Sequence, residues 1–249
     1  MRDALVVGIN NYRQVNSLNA PAEDAEAIAQ ILENKGDFQV TRLPLATNRR
    51  TSQQYISKQE SVTSKDLKKA LRQLFKPEEE NRQIPDTALF YFSGHGIKIN
   101  EGVPEGYLVT SDANRQLGHY GLSLDWLKQL LQKSPVRQQI IWLDCCHSGE
   151  LLNLNFDSYN PGNTGQVRDR FFIAASRAFE LAYEGGIHSK YSVLTQLLLS
   201  ALQPQNHTYE WITNYDVISY LDRNLVNNNQ RPVFNRPLAK LNMGQYEVQ

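Results

Sequence analysis

The chain has little of what marks several large classes of protein. Only two cysteines occur in 249 residues, Cys145 and Cys146, and they are neighbours. No disulfide framework can be built from them, so nothing argues for an oxidising compartment. There is no surplus of either charge: 26 Lys plus Arg against 26 Asp plus Glu give a formal net charge of +0. Such a balance offers no basic footprint for nucleic acid or an anionic membrane surface. No apolar run approaches the ~18 residues of a membrane span, and the opening MRDALVVGIN is too short an apolar stretch for a signal peptide. Internal repeats and long low-complexity tracts are also missing. A soluble, cytosolic protein is expected, and 41% hydrophobic residues in 28.5 kDa suffice for one large core.

What is present is an alternation of two patterns. Short apolar runs, several β-branched or aromatic and bounded by Gly, Pro or Asn, fall at 4–9, 38–43, 87–92, 139–143, 171–175 and, weaker, 232–234. Strands covered on both faces read this way. Helical stripes lie between them. In 22–34 the stripe is Ala25, Ile28, Ala29 and Leu32, with Glu23, Asp24 and Glu26 charging the first turn. In 64–75 it is Leu67, Ala70, Leu71 and Leu74 behind Ser64 as N-cap, and in 123–133 it is Trp126, Leu127, Leu130 and Leu131. Helices over 191–202 and 215–225 follow, the second opened by Thr213 and Asp216 at capping-box spacing. The pattern predicts an α/β fold: a mostly parallel central sheet of about six strands with helices on both faces. Segments 44–63, 97–107 and 153–168 read as loops, the second as a small hairpin. The third is long enough to be functional.

Two strand ends carry the chemistry. The run IIWLDCCHSG over 140–149 is an apolar strand that delivers Asp144, Cys145, Cys146, His147 and Ser148 to its carboxyl end, the edge where open α/β sheets bind ligands. Alternation puts Asp144 and Cys146 on one side of the strand and Cys145 on the other, toward the core. The run LFYFSGHG over 89–96 ends in His95 between two glycines, where backbone can approach a substrate closely. A Cys nucleophile needs an imidazole to hold it as thiolate and to protonate the leaving amine. It also needs two donors for the tetrahedral oxyanion, for which the amides of Gly96 and Cys146 are the candidates. His147 neighbours the thiol on the strand end, so its ring should point away. Adjacent ligands make a zinc site from Cys145, Cys146, His95 and His147 geometrically poor. His119, His188 and His207 read as loop or surface residues.

Together, FYFSGHG over 90–96 and DCCHSG over 144–149 strongly resemble the metacaspase and bacterial caspase-like (orthocaspase) branch of the caspase superfamily. The His-to-Cys spacing of about 50 residues is that superfamily's. The opening ALVVGINNY over 4–12, with Leu18 and Asp24, and the stretch from Phe171 to Glu184 resemble the family's first strand and the start of its small-subunit half. The resemblance implies one peptidase domain over 1–249: a large-subunit-like half (1–152), an inter-half loop (153–169) and a small-subunit-like half (170–249). It implies a Cys146–His95 dyad and an acidic pocket from Asp24 and Asp144, with Ser93 nearby, that selects Arg or Lys before the scissile bond. Two carboxylates facing one desolvated guanidinium would favour such a cation and reject Asp. It implies backbone contacts from Ser176 to an extended substrate. Many metacaspases use calcium, but 110–125 offers only Asp112 and Asp125, and Asn153 follows the nucleophile. Calcium wants six or more oxygens, so no metal or other cofactor is expected.

The expected function is a cysteine endopeptidase cleaving after Arg or Lys, activated by a protein partner, by additional domains or by self-cleavage at Arg168, Arg170, Arg49 or Arg50. Its partner is a protein or peptide substrate, with no direct nucleic acid or membrane. The alternatives are a non-catalytic docking or sensing module of a bacterial signalling or defence system, and an enzyme silent until a partner rearranges its loops. In the bland readings, Cys146 is a small core hydrophobe, Asp144 a strand-end polar group and Asp24 a helix first-turn charge.

Overall fold

Apolar residues on both sides of the pleat let five strands stack side by side with helices above and below. In the computed structural model, the described residues are 1–145, 169–175, 190–203, 211–224, 233–234 and 242–245. Strands β1 (Arg2–Gly8), β2 (Gln39–Leu43), β5 (Thr87–Ser93), β9 (Gln138–Asp144) and β10 (Asp169–Ala174) run parallel. Strand β12 (Val233–Phe234) adds an antiparallel edge, giving the order β12-β10-β9-β5-β1-β2. All six apolar runs of the sequence lie in this one sheet, as an α/β fold requires.

The alternation of side chains divides the core in two. Val6, Leu89, Tyr91, Ile140, Trp142 and Ile173 face helices α1 (Pro21–Gly36), α4 (Val193–Ala201) and α5 (Asn214–Asn224). Leu5, Val7, Phe90, Phe92, Ile141 and Leu143 face α2 (Ser64–Phe75) and α3 (Leu124–Lys133). Cys145 follows this second parity and is buried, as alternation predicts. Among the described residues, no helix is long and apolar enough to cross a membrane.

Local signals account for the helix ends, with corrections. The N-cap of α2 is Thr63 rather than Ser64: Thr63 Oγ1 accepts from the Asp66 amide at 3.2 Å, and Asp66 accepts from the Thr63 amide at 3.0 Å. Ser64 instead donates its hydroxyl to the Gly121 carbonyl. Helix α4 starts at Val193 behind Ser192, two residues later than its stripe suggested. Thr213 and Asp216 form the expected capping pair. Segment 44–63, expected as loop, holds the hairpin β3 (Leu45–Thr47) and β4 (Gln54–Ile56). Those strands have three residues each, and only Ile56 is buried, so they carry no apolar period to read. The expected hairpin at 97–107 is β6 (Gly96–Glu101) and β7 (Val103–Leu108), extended by β8 (Leu122–Ser123). Strands β11 (Trp211–Thr213) and β13 (Asn242–Gln245) pair separately. Segment 153–168 lies outside the described residues.

Candidate active site

Register alone assembles the site. Gly8 of β1 lies opposite Ser93 of β5, and Ser93 opposite Asp144 of β9, so three strands end abreast. The chain leaves β1 for β2 through α1 and returns past β1 to β5, a reversal of strand order of the kind beside which open α/β sheets bind ligands. Helix α1 is seated against the end of β1. A Cβ on Gly8 would lie 2.3 Å from the Pro21 carbonyl oxygen and 2.8 Å from Ala25 Cβ. No side chain at its own N-cap holds the first turn. Instead Asn10, just past β1, accepts from the Ala22 amide at 2.8 Å and donates to the Asn19 carbonyl at 3.0 Å. That seating puts Asp24 over Ser93.

Asp24 is 0% exposed and Asp144 5% exposed. Asp24 accepts from Ser93 Oγ at 3.2 Å and from the Ser192 amide at 3.0 Å. Asp144 accepts from Thr195 Oγ1 at 2.7 Å and from Ser192 Oγ. Behind them the Tyr91 hydroxyl meets Thr195 Oγ1 at 2.5 Å. Since Thr195 gives its proton to a carboxylate, Tyr91 is the donor of that pair. Burial pushes the Asp24 carboxyl up to about 8, with Asp144's charge as the second cause. Burial likewise raises Asp144, against its bonds from Ser192 and Thr195. Among the described residues, no Lys or Arg forms an ion pair with either carboxylate. Sequence reasoning named Asp24, Ser93 and Asp144, and the structure brings them together; it missed Ser192, Thr195 and Tyr91.

His95 stands one glycine beyond β5 and is half-buried. Its Nε2 lies 2.8 Å from the Asn16 carbonyl oxygen. A carbonyl only accepts, so Nε2 carries a proton and Nδ1 is left as the basic nitrogen of the neutral ring. The Tyr12 ring packs against the imidazole with centroids 4.8 Å apart. The Tyr12 hydroxyl donates to the Ile9 carbonyl at 2.8 Å and accepts from the His95 amide at 2.9 Å. The His95 carbonyl accepts from the Val109 amide at 2.9 Å. In a trans peptide, C=O and the next N–H point opposite ways, so the Gly96 N–H points away from Val109. Neither Tyr12 nor Asn16 was singled out from sequence.

Cys146, His147 and Ser176 lie outside the described residues; Cys146 follows Cys145 directly in the chain. Asp112, weighed as a calcium ligand, accepts from Thr110 Oγ1 at 2.6 Å and the Ser64 amide at 3.0 Å, and it pairs with His119 at 3.3 Å. Asp125 sits in the first turn of α3. Among the described residues, no group of three His, Cys, Asp or Glu side chains is arranged to hold a metal ion.

Comparison with known proteins agrees with this architecture. Residues 1–243 match the family model described as the caspase domain. The crystal structure of protein GSU0716 from Geobacter sulfurreducens superposes with a TM-score of 0.64 at 19% identity, covering 94% of this chain and 92% of that one. At that identity the likeness is one of fold. No curated protein matches.

Proposed function

The chain belongs to the caspase domain family, whose members are cysteine peptidases, and from that premise we propose that it is an endopeptidase cleaving after Arg or Lys through a Cys146–His95 dyad. The observation that carries the reading is the buried Asp24–Asp144 pair at Ser93, two residues before His95 in the chain. Two desolvated carboxylates repel each other and hold protons above their usual range. A guanidinium or ammonium entering between them displaces those protons and balances the carboxylates, whereas an acidic side chain would add to the repulsion.

The mechanism follows from the dyad. His95 Nδ1 takes the Cys146 proton, and the thiolate sulfur attacks the carbonyl carbon of the basic residue. The oxyanion is held by the Gly96 and Cys146 amides. Collapse breaks the C–N bond as His95 protonates the departing amine, leaving a thioester. Water, deprotonated by His95, then releases the acid and regenerates the thiol. The Nε2 bond to the Asn16 carbonyl keeps Nδ1 turned to this task. The substrate lies extended, with Ser176 giving main-chain contacts in the manner of an added strand. For self-cleavage, Arg49 and Arg50 are exposed at the β3–β4 hairpin. Arg170 is a poor site, because it lies within β10 and bonds Gln139 and the Leu131 carbonyl.

The test is fluorophore release from short peptides ending in Arg, Lys or Asp, with and without a calcium chelator, for the wild type and Cys146→Ala. Release after Arg or Lys that ignores the chelator and falls by about 10⁴-fold or more in the variant is expected. Release after Asp would overturn the pocket and leave the dyad standing. With no turnover at all, a thiol-reactive peptide probe decides between a gated enzyme, which it labels at Cys146, and a non-catalytic module.

A further inference from the structure

Three distant segments meet at one serine. Asp24 belongs to α1, Asp144 to the end of β9, and Ser192 stands at the start of α4. The Ser192 amide donates to Asp24 Oδ1 at 3.0 Å, and its hydroxyl donates to Asp144 Oδ2. The same oxygen accepts from the Thr195 amide at 3.3 Å, the ordinary bond of an N-cap. Both donors of Ser192, its N–H and its O–H, are therefore given to the acids, and both acids are held by it.

We infer that Ser192 is the positioning residue that joins Asp24 and Asp144 into a single cation-selective pocket. The inference rests on the reading that this pocket receives Arg or Lys. Two carboxylates left to themselves in a buried crevice separate, or one of them protonates and turns away. A donor fixed between them offsets part of their repulsion and sets their spacing. Ser93 and Thr195 each touch one acid only; Ser192 touches both. The hydroxyls of Ser93, Ser192 and Thr195 donate to the two acids and that of Tyr91 to Thr195, so none of the four has a proton left for a ligand and what remains is acceptor capacity. A planar guanidinium, with five donors, fits that demand. Among the described residues, the titratable groups that face the pair are the two acids themselves and Tyr91 of β5.

The test compares the full-length wild type with Ser192→Ala, Ser192→Gly and Ser192→Thr. Glycine is a tolerated N-cap that keeps the amide and deletes the hydroxyl, and threonine restores the hydroxyl. With an Arg peptide, the Ala and Gly variants should raise KM about 10-fold, with kcat within about 3-fold. The pH at which KM falls should move upward, because Asp144 has lost a donor to its charged form. Benzamidine, a small planar cation, should lose affinity in parallel, and Ser192→Thr should recover both readouts. Alkylation of Cys146 by iodoacetamide at the wild-type rate certifies folding. Unchanged KM and benzamidine affinity in Ser192→Gly would overturn the inference, as would a Thr variant as impaired as the Ala variant. If the wild type cleaves no basic peptide, the peptidase reading fails, and calorimetric binding of benzamidine still decides. Binding lost in Ser192→Gly and regained in Ser192→Thr supports the inference alone, while no binding to the wild type overturns it.

Discussion

Helix α1 contributes to two clusters of carboxylates, and they are built in opposite ways. Glu26 and Glu33 hold Arg42 from β2: its guanidinium reaches Glu26 at 3.1 Å and Glu33 at 2.5 Å. Its pKa is pushed up, first by the bond to Glu33. Two residues before Glu26, on another side of the helix, Asp24 meets Asp144 with, among the described residues, amide and hydroxyl donors around them. The first cluster carries its own cation and ties β2 and β4 to the helix, the latter through the Ile56 amide on Glu26. The second buries two carboxyl groups side by side at the carboxyl edge of the sheet, where both hold protons above the usual range. The first pair is neutralised by a cation of the chain itself; the second, among the described residues, is not.

Exchanging the roles of the two clusters breaks the comparison most sharply. Asp144→Asn should lower kcat/KM toward Arg peptides by about 10²- to 10³-fold, as loss of one partner of a desolvated charge pair does. Arg42→Met, assayed as folded protein, should leave kcat/KM within about 3-fold.

Stability should rank them the other way. Removing the buried Arg42 strands the half-buried Glu26 and the exposed Glu33, and a loss of about 2 kcal/mol is expected from denaturant titration. Asp24→Asn removes a repulsion and should cost nothing at pH 8 or above.

The sign of the pH dependence sharpens the contrast. Asp24 keeps its proton in the folded state up to about 8, against an ordinary value of 3.8. Between these limits the folded state binds more protons than the unfolded one, so this group's contribution is full below about 4 and is lost as pH rises through about 8. Thermal melting of the unliganded protein should fall by at least about 2 °C between pH 5.5 and 8 from this source, and Asp24→Asn should flatten that part of the slope. The smallest effect is the control: Thr63→Ala, far from both clusters, should cost about 1 kcal/mol and move neither specificity nor the pH slope.

How much was legible beforehand follows the same division. The six strands announced themselves through apolar runs, and Asp24, Ser93 and Asp144 through motifs at strand or helix ends; register then set them side by side. Ser192 and Thr195 carried no such mark. They are common residue types at an ordinary helix start, and the bond from Ser192 to Asp24 spans 168 positions. Asn16 acts through its carbonyl, which every residue has, so no side-chain pattern could reveal it. Tyr12 lay inside a recognised segment, but its link to His95 depends on the chain turning back beside β5. The β3–β4 hairpin was invisible because its three-residue strands, with Ile56 their one buried residue, have no period.

Gly8 makes a different kind of contribution. It has no side chain to offer a substrate, yet the space it leaves empty is what the Pro21 carbonyl and Ala25 occupy. The seat of α1, and with it the place of Asp24 over Ser93, is thus gauged by a missing methyl group at the end of β1. One carbon added there would act as a wedge, tilting the whole helix and drawing Asp24 off Ser93. A substitution in a strand with no chemistry of its own would then be felt as a change in what the crevice accepts.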